Sequence, residues 1–222
     1  MFDYSLYLIA DAEYAAGRDL MPLVEAAVRG GVTVVQLRAK SLLHGDFLAL
    51  ARRVAPVLKR HRVPLIINDR AEIALSCGAA GLHLGQDDLP LAVARKILAE
   101  DMIIGVSVNT PEEAREAERH GADYLGAGPV FATATKPTDL PTLGPGGLLR
   151  IKQSVVIPVV AIGGITEENA RSVREAGADG IAVVSALLGA EDPQEAARGL
   201  KRAMNLNIRR RVADPSYVRR SA

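Results

Sequence analysis

Gly121-Ala122-Asp123-Tyr124-Leu125 ends an Ala-rich helical stretch at a glycine and leads directly into a short apolar run. The same junction recurs at Gly31-Val32-Thr33-Val34-Val35, Gly78-Ala79-Ala80-Gly81-Leu82 and Gly177-Ala178-Asp179-Gly180-Ile181. Glycine adopts the left-handed conformation that ends a helix, so each junction is predicted to turn a helix into a strand. A chain that repeats this turn alternates helices with strands.

The apolar runs predict eight strands. They begin near Leu6, Val34, Leu65, Leu82, Ile103, Tyr124, Val159 and Ile181. Runs such as Pro158-Val159-Val160-Ala161-Ile162 are apolar at successive positions, which is typical of parallel strands covered by helices. The sequence therefore predicts an α/β protein, an eight-stranded parallel (β/α)₈ TIM barrel formed by residues 1–205 as one catalytic domain. A doubly wound open sheet is the alternative, although no Gly-x-Gly-x-x-Gly follows the first strand.

Helical periodicity and start signals place helices between the strands. Amphipathic stretches are predicted over Phe47 to Lys59, Glu112 to His120 and Glu167 to Ala176. Helix starts are predicted at Asn109-Thr110-Pro111-Glu112-Glu113, Gly164-Ile165-Thr166-Glu167-Glu168 and Asp192-Pro193-Gln194-Glu195.

The composition is that of a globular enzyme-sized chain. Of 222 residues, 49% are hydrophobic and 24% charged, and the single cysteine, Cys77, excludes an intramolecular disulfide framework. No apolar run reaches the roughly 18 residues of a membrane helix, and Met1 to Ala10 lacks the basic start of a signal peptide. We therefore expect a soluble, cytoplasmic protein.

The C-terminal segment 206–222 is basic. It carries five arginines against Asp214, and we expect a flexible tail: Arg209, Arg210, Arg211, Arg219 and Arg220. Such a tail could contact nucleic acid or a membrane, but no stacking aromatic residues accompany the charges. We therefore expect neither a nucleic acid nor a membrane partner.

Two loops of the predicted barrel are suited to phosphate. Gly163-Gly164 follows the seventh strand and Ser185 follows the eighth, and backbone N–H groups in these loops can point together at one anion. The alternative is that the two glycines only form a tight turn. The agreement of both loops favours a phosphate site.

Three cations are predicted near that phosphate. Arg38 and Lys40 follow the second strand at alternate positions, so both could reach one ligand, and Lys136 lies in the long loop after the sixth strand. Such charges suit a diphosphate better than a monophosphate. Taken alone, Arg38 and Lys40 would be interpreted as solvent-exposed charges at the edge of the sheet.

An acidic pair follows two adjacent strands. Asp69 and Asp88 could share one Mg²⁺, which takes one or two carboxylates and completes its shell with water and phosphate oxygens. The alternative is that each aspartate caps a helix. His83 lies within a strand and is interpreted as an interior histidine with its hydrogen bonds satisfied.

These motifs, in this order, closely resemble the thiamine-phosphate synthase family, also called thiamine-phosphate pyrophosphorylase. The likeness runs from about Leu6 to Met204. The matching stretches are Gln36 to Lys40, Ile67 to Arg70, Gly81 to Asp88, Gly105 to Ser107, Gly121 to Gly126, Thr133 to Pro137, Ile162 to Ile165 and Gly177 to Gly180.

The resemblance implies a transferase that joins hydroxymethylpyrimidine diphosphate to hydroxyethylthiazole phosphate, giving thiamine phosphate and diphosphate. It implies Mg²⁺ at Asp69 and Asp88, with Arg38, Lys40 and Lys136 as the catalytic residues that neutralise the departing diphosphate. It assigns the pyrimidine diphosphate to Gln36, Leu37, Arg38, Ala39, Lys40, Asn68, Ser107 and Lys136. It assigns the thiazole phosphate to Thr133, Ala134, Thr135, Gly164, Val184 and Ser185. Asn109 stands where the family often has a histidine, outside the assigned positions.

Two other functions fit a barrel of this kind. Thiazole tautomerases resemble the chain near Gly126 to Pro129 but carry a histidine where Pro129 stands, and proline transfers no proton. A non-catalytic sensor of phosphorylated ligands would not need the acidic pair and the full set of cations. The sequence favours the synthase over both and leaves the oligomeric state open.

Overall fold

The computed structural model describes residues 2–135 and 140–205. The predicted tail, 206–222, and the predicted catalytic residue Lys136 lie outside the described residues. Within residues 2–135 and 140–205, no helix is both long and apolar enough to cross a membrane.

The predicted (β/α)₈ barrel is confirmed. Eight parallel strands close in chain order, and β1 pairs with β8, which excludes the open sheet. The strands are β1 (Leu6–Asp11), β2 (Val34–Arg38), β3 (Leu65–Asn68), β4 (Gly81–Leu84), β5 (Ile103–Val108), β6 (Tyr124–Ala127), β7 (Val159–Ile162) and β8 (Gly180–Val183). Only β4 and β8 depart from the predicted first residue, each starting one residue earlier.

Helices surround the barrel. In the described part of the chain they are α1 (Leu20–Gly30), α2 (His44–His61), α3 (Ala71–Cys77), α4 (Leu91–Ile97), α5 (Pro111–Arg119), α6 (Gly144–Ser154), α7 (Ala170–Glu175), α8 (Ser185–Leu188) and α9 (Pro193–Asn205). The short α8 is an additional element after β8, placed so that Ser185 is its first residue.

The four junction glycines have the predicted left-handed backbone. Their φ angles are 112° at Gly31, 65° at Gly78, 89° at Gly121 and 90° at Gly177. The N–H of Gly31 also bonds the carbonyls of Ala27 and Val28, which closes the end of α1. The junctions therefore act as helix ends for the reason that the sequence predicts.

Two of the three predicted helix starts are confirmed, those of α5 and of α9 at Pro193, and one is wrong. Thr110 caps α5 by accepting the N–H of Glu113, at 3.1 Å. The helix predicted from Glu167 begins only at Ala170, because the Asn169 side chain accepts the Thr166 N–H at 2.9 Å and holds a turn there. A side chain that binds its own nearby backbone competes with the first helical turn.

Alternation along the strands divides the core into two layers. One layer lies between strands and helices, and the other fills the barrel with Tyr4, Tyr7, Ile9, Val34, Ile66, Ile103, Tyr124, Val160 and Ala182. Side chains two positions apart share a face of a strand. Gln36, Asn68, His83 and Ser107 therefore belong to the barrel interior, and Arg38 follows Gln36 on the same face.

Candidate active site

The predicted pyrimidine-binding stretch 36–40 divides between the two faces of β2. Gln36 lies in the barrel interior and is 3% exposed, while Leu37 and Ala39 are buried in the layer beneath the helices. The side chains of Leu37 and Ala39 therefore point away from the barrel axis. Only their backbone groups remain available to a ligand at the strand ends.

Arg38 ends β2 and is held by two carboxylates. Its Nη1 donates to Asp11 Oδ2 at 2.5 Å and to Glu13 Oε2 at 3.1 Å. Asp11 is Arg38's register partner across β1 and β2, and its Oδ1 also accepts the N–H groups of Glu13 and Tyr14. The sequence reasoning missed Asp11 and Glu13, although alternation from Tyr7 through Ile9 places Asp11 on the interior face.

Glu13 carries a depressed pKa. Burial raises the pKa of this carboxyl, but the Ser41 N–H and hydroxyl, Asp11 and Arg38 outweigh burial and lower it below its usual value. The Ser41 groups donate to Glu13 Oε1 at 2.9 and 2.8 Å. Glu13 therefore fastens the loop after β2 to the end of β1 as well as holding Arg38.

Lys40 turns to the other side of β2. Its Nζ lies 2.9 Å from Asp69 Oδ2 at the end of β3, so Arg38 and Lys40 contact carboxylates on opposite neighbouring strands. The Arg70 guanidinium donates to the Leu42 carbonyl at 2.9 Å and lies over the Phe47 ring, 5.5 Å from its centroid. Arg70 thereby anchors the Lys40 loop to β3.

Asp69 and Asp88 lie together after β3 and β4. Burial and the neighbouring Asp88 carboxylate raise the pKa of Asp69, while Lys40 opposes that shift. Asp69 has a left-handed backbone, with a φ of 64°, and Asp88 Oδ2 accepts the Gly85 N–H at 2.7 Å. The capping alternative is wrong for both residues, because the caps of α3 and α4 are Arg70 and Pro90.

The acidic pair fits a hard divalent cation in its donor chemistry. A carboxylate whose pKa is raised by a neighbouring carboxylate, as that of Asp69 is by Asp88, is stabilised by a shared positive charge, and carboxylate oxygens are ligands that Mg²⁺ accepts. In residues 2–135 and 140–205 no group of three or more His, Cys, Asp or Glu side chains is arranged to hold a metal ion. Mg²⁺ needs only one or two carboxylates when a phosphorylated ligand supplies further oxygens.

A cavity of about 70 Å³ joins the loops after β6, β7 and β8. Its lining includes five of the residues that the resemblance assigns to the thiazole phosphate: Thr133, Thr135, Gly164, Val184 and Ser185. Ala134 is exposed and does not line it. Gly164 has a φ of 62°, and a Cβ there would lie 2.4 Å from the Ala132 carbonyl oxygen, so only glycine fits.

Polar side chains cross the barrel interior below the strand ends. Gln36 Nε2 donates to the Tyr7 hydroxyl at 2.9 Å, and the Tyr7 and Tyr124 hydroxyls lie 2.8 Å apart. His83 Nδ1 lies 2.9 Å from the Tyr124 hydroxyl, and its Nε2 lies 3.0 Å from Ser107 Oγ. The interior interpretation of His83 is confirmed. Asn68, 8% exposed, ends β3 on the same interior face.

The sequence reasoning did not assign Tyr7 and Tyr124 to the site. Tyrosine is rare here, with five residues in the chain, and both hydroxyls lie at interior positions of predicted strands. That combination is a signal that sequence inspection could use. Pairing each tyrosine with its partner requires the closed barrel.

Comparison with known proteins gives one consistent family. A family profile described as thiamine monophosphate synthase matches residues 6–187. The thiamine-phosphate synthase of Syntrophomonas wolfei is 51% identical over 205 residues, covering 92% of this chain and 98% of that protein. The thiamine-phosphate synthase of Natronomonas pharaonis is 45% identical, covering 91% of this chain and 95% of the relative.

Solved structures agree with these sequence relatives. A thiamine phosphate pyrophosphorylase from Pyrococcus furiosus superposes with a TM-score of 0.85 at 40% identity, covering 92% of this chain and 96% of that chain. A 3-hexulose-6-phosphate synthase reaches a TM-score of 0.67 at 21% identity and shares the fold alone.

Proposed function

Because this chain belongs to the thiamine monophosphate synthase family, we propose that it condenses hydroxymethylpyrimidine diphosphate with hydroxyethylthiazole phosphate. The products are thiamine phosphate and diphosphate. Family membership makes the chain a transferase of thiamine biosynthesis, with small phosphorylated molecules as its substrates.

One observation carries the assignment of the diphosphate. The paired carboxylates of Asp69 and Asp88 lie beside the Lys40 ammonium at the ends of β3 and β4. Anionic and cationic side chains in contact suit a ligand that arrives as a complex of a divalent cation with a diphosphate. Arg38, on the interior face of the neighbouring strand, adds a second cation at the same end of the barrel.

Asp69 and Asp88 are the residues that would hold Mg²⁺. Bound there, Mg²⁺ would neutralise charge on the departing diphosphate. Lys40, already 2.9 Å from Asp69, lies where it can pair with a phosphate oxygen once Asp69 is engaged by the metal ion. Lys136, which lies outside the described residues, is proposed as a third cation for the diphosphate.

The chain's share of the reaction is orientation and charge. The bond between the pyrimidine methylene and the diphosphate breaks with its electron pair leaving on diphosphate, and the electron-rich aminopyrimidine supports the positive charge left on that carbon. The thiazole nitrogen then attacks the carbon. No protein nucleophile is required, so Arg38 and Lys40 act by stabilising the leaving group and holding it in place.

The second substrate is assigned to the loops after β6, β7 and β8. Thr133, Thr135, Gly164, Val184 and Ser185 share the cavity there, and backbone N–H groups near Gly164 and Ser185 suit a monophosphate. Ala134 would contribute from the exposed side of the same loop. The pyrimidine is assigned to Gln36, Asn68 and Ser107 on the interior faces of β2, β3 and β5, with the backbone of Leu37 and Ala39.

The test is a diphosphate-release assay with Mg²⁺ and both substrates. Release should need all three components. Asp88→Asn should lower the rate at limiting Mg²⁺ by tenfold or more and recover part of it at high Mg²⁺, because one charged ligand is lost while an amide oxygen remains for the Gly85 N–H. Asp87→Asn is the matched control, since Asp87 is exposed and adjacent, and it should stay within about twofold of wild type.

Two results would contradict the proposal. Full activity in excess chelator would remove Mg²⁺ from the assignment. Diphosphate release from the pyrimidine substrate at the full rate without any thiazole substrate would make the chain a hydrolase rather than a synthase.

A further inference from the structure

Five side chains form a continuous hydrogen-bonded row across the barrel, here called the row: Gln36, Tyr7, Tyr124, His83 and Ser107. They come from β2, β1, β6, β4 and β5. The two ends, Gln36 and Ser107, are the residues proposed above for the pyrimidine, while Tyr7, Tyr124 and His83 have no role in that proposal. The row therefore links two proposed substrate-binding groups through the barrel interior.

Burial requires that the hydroxyl groups of the row are hydrogen-bonded. Tyr7 and Tyr124 are each 1% exposed, Gln36 is 3% and His83 is 8% exposed. An unpaired polar atom at such positions is costly, so each of the two tyrosine hydroxyls needs an acceptor, which among the described residues the row supplies. Burial also raises the pKa of both tyrosines above the ordinary value, which keeps a single hydrogen on each hydroxyl.

Counting hydrogens gives the row a direction. Gln36 donates to Tyr7, so the Tyr7 hydrogen must go to Tyr124, and the Tyr124 hydrogen must go to His83 Nδ1. A neutral imidazole that accepts at Nδ1 carries its hydrogen on Nε2. His83 Nε2–H then donates to Ser107 Oγ, 3.0 Å away.

Ser107 is the point where this direction reaches the substrate. Because Ser107 Oγ accepts from His83, its own hydrogen is directed out of the row. Ser107 is half-buried and lines a cavity of about 30 Å³ together with Gln36 and His83. A hydroxyl fixed as a donor at this place suits an acceptor such as a pyrimidine ring nitrogen.

We propose that Tyr124 and His83 are positioning residues that hold the Ser107 hydroxyl as a hydrogen-bond donor toward the pyrimidine substrate. The inference rests on the proposed function for the identity of the ligand. Tyr124 fixes the tautomer of His83, and His83 fixes the orientation of Ser107. Neither residue touches the reacting atoms.

Two glycines leave space for the rings of the row. A Cβ at position 105 would lie 2.1 Å from the Tyr124 Cζ atom, and one at position 126 would lie 3.1 Å from His83 Cε1. Glycine at these two positions leaves space for both rings. The Tyr4 ring packs on Tyr124 with centroids 4.8 Å apart, yet Tyr4 contributes no bond to the row.

The first experiment reads the row without substrate. In ¹⁵N-histidine-labelled protein near neutral pH, the ring nitrogen shifts of His83 report its tautomer, and a His83→Gln variant assigns its signals among four histidines. We expect the Nε2–H form in the wild type and a mixture in Tyr124→Phe. A wild-type ring in the Nδ1–H form, or one with both nitrogens protonated, would overturn the proposal even if Tyr124→Phe does not fold.

The second experiment is a double-mutant cycle on the synthase reaction. Tyr124→Phe should raise the KM for the pyrimidine diphosphate about 3- to 10-fold, the size of one hydrogen bond, and leave the KM for the thiazole phosphate near wild type. In a Ser107→Ala background, Tyr124→Phe should have no further effect. Tyr4→Phe, the same change on the adjacent ring, should leave both KM values unchanged.

The outcomes separate this inference from the proposed function. A wild-type protein without synthase activity would count against the proposed function, while the tautomer measurement would still decide the direction of the row. An active wild type in which the Tyr124→Phe and Ser107→Ala effects add independently would show that Tyr124 does not act through Ser107. Equal effects of Tyr4→Phe and Tyr124→Phe would assign the tyrosines a packing role only.

Discussion

Arg38 is positioned by two carboxylates of the protein itself. Asp11 and Glu13 accept from the same guanidinium nitrogen, and Arg38 is 20% exposed at the side chain, so its charge is both oriented and partly balanced. A phosphorylated ligand that reached Nη1 would compete with the Asp11 and Glu13 carboxylates for its hydrogens. The other nitrogens of the guanidinium fork are therefore the ones suited to a phosphate.

Glu13 supplies a pH-dependent part of the stability at this end of the barrel. Its folded pKa is lower than the ordinary 4.5, so its ionised form stabilises the fold fully above that value. This contribution is lost as the pH falls through the lower, folded pKa. The difference in free energy of unfolding between wild type and Glu13→Gln should be largest near pH 7 and should shrink below about pH 4.5.

Urea unfolding at several pH values measures this difference. Glu100→Gln, at an exposed position, corrects for the loss of one charge and should change stability by less than about 0.5 kcal/mol. A wild-type advantage that stays constant down to pH 3 would show that Glu13 stabilises the loop through shape rather than through charge.

At the scale of elements, α5 shows how a helix start is coded locally. The Thr110 hydroxyl accepts the Glu113 N–H, the Glu113 carboxylate accepts the Asn109 N–H at 2.6 Å, and Pro111 supplies the first helical position. Two backbone donors that the helix leaves without partners are thereby satisfied. This start also fixes the chain immediately after Ser107.

Thr110→Ala should lower the free energy of unfolding by about 1 kcal/mol, because the Glu113 N–H loses its acceptor. Thr110→Ser keeps the hydroxyl oxygen and should lose no more than a few tenths of a kcal/mol. Chemical denaturation of the three proteins makes the comparison. Equal losses in the two variants would assign the effect to the threonine methyl group instead of the cap.

At the scale of the whole molecule, the barrel closes where β8 meets β1. Leu6 pairs with Ile181 and Leu8 with Val183, and Tyr4, a member of the interior layer, packs on the Tyr124 ring. A Cβ at Gly180 would lie 1.8 Å from the Tyr4 carbonyl oxygen, so the first residue of β8 must be small. The close approach of β8 to the chain before β1 therefore requires that residue 180 has no side chain.

Gly180→Ala should lower the free energy of unfolding by about 1–3 kcal/mol, since backbone atoms must move apart to admit the methyl group. Gly45→Ala is the matched control. Among the described residues, no atom beyond its chain neighbours and its own helix backbone lies within 4 Å of a Cβ there, and the position is helical, so the variant should be neutral or slightly more stable. Urea unfolding of both variants measures the difference. A Gly180→Ala protein as stable as Gly45→Ala would show that the barrel admits the methyl group at no cost.

The sequence by itself determined the order of the elements, because strands, helices and the turns between them depend on neighbouring residues. The junction glycines, the Thr110 cap and the first residues of most strands follow from local propensity and alternation. The general position of the site follows as well, since residues after parallel strands meet at one end of a barrel. The start of α7 was missed because the Asn169 side chain competes for the backbone there.

Only the tertiary structure decided which side chains meet. The bond between Tyr7 and Tyr124 joins residues 117 positions apart, and the pairing of Asp11 with Arg38 depends on the register of β1 and β2. Lys40, two residues beyond the end of β2, contacts Asp69 after β3 rather than the carboxylates that hold Arg38. Register is set by the packing of all eight strands into one closed interior, and no local pattern contains that information.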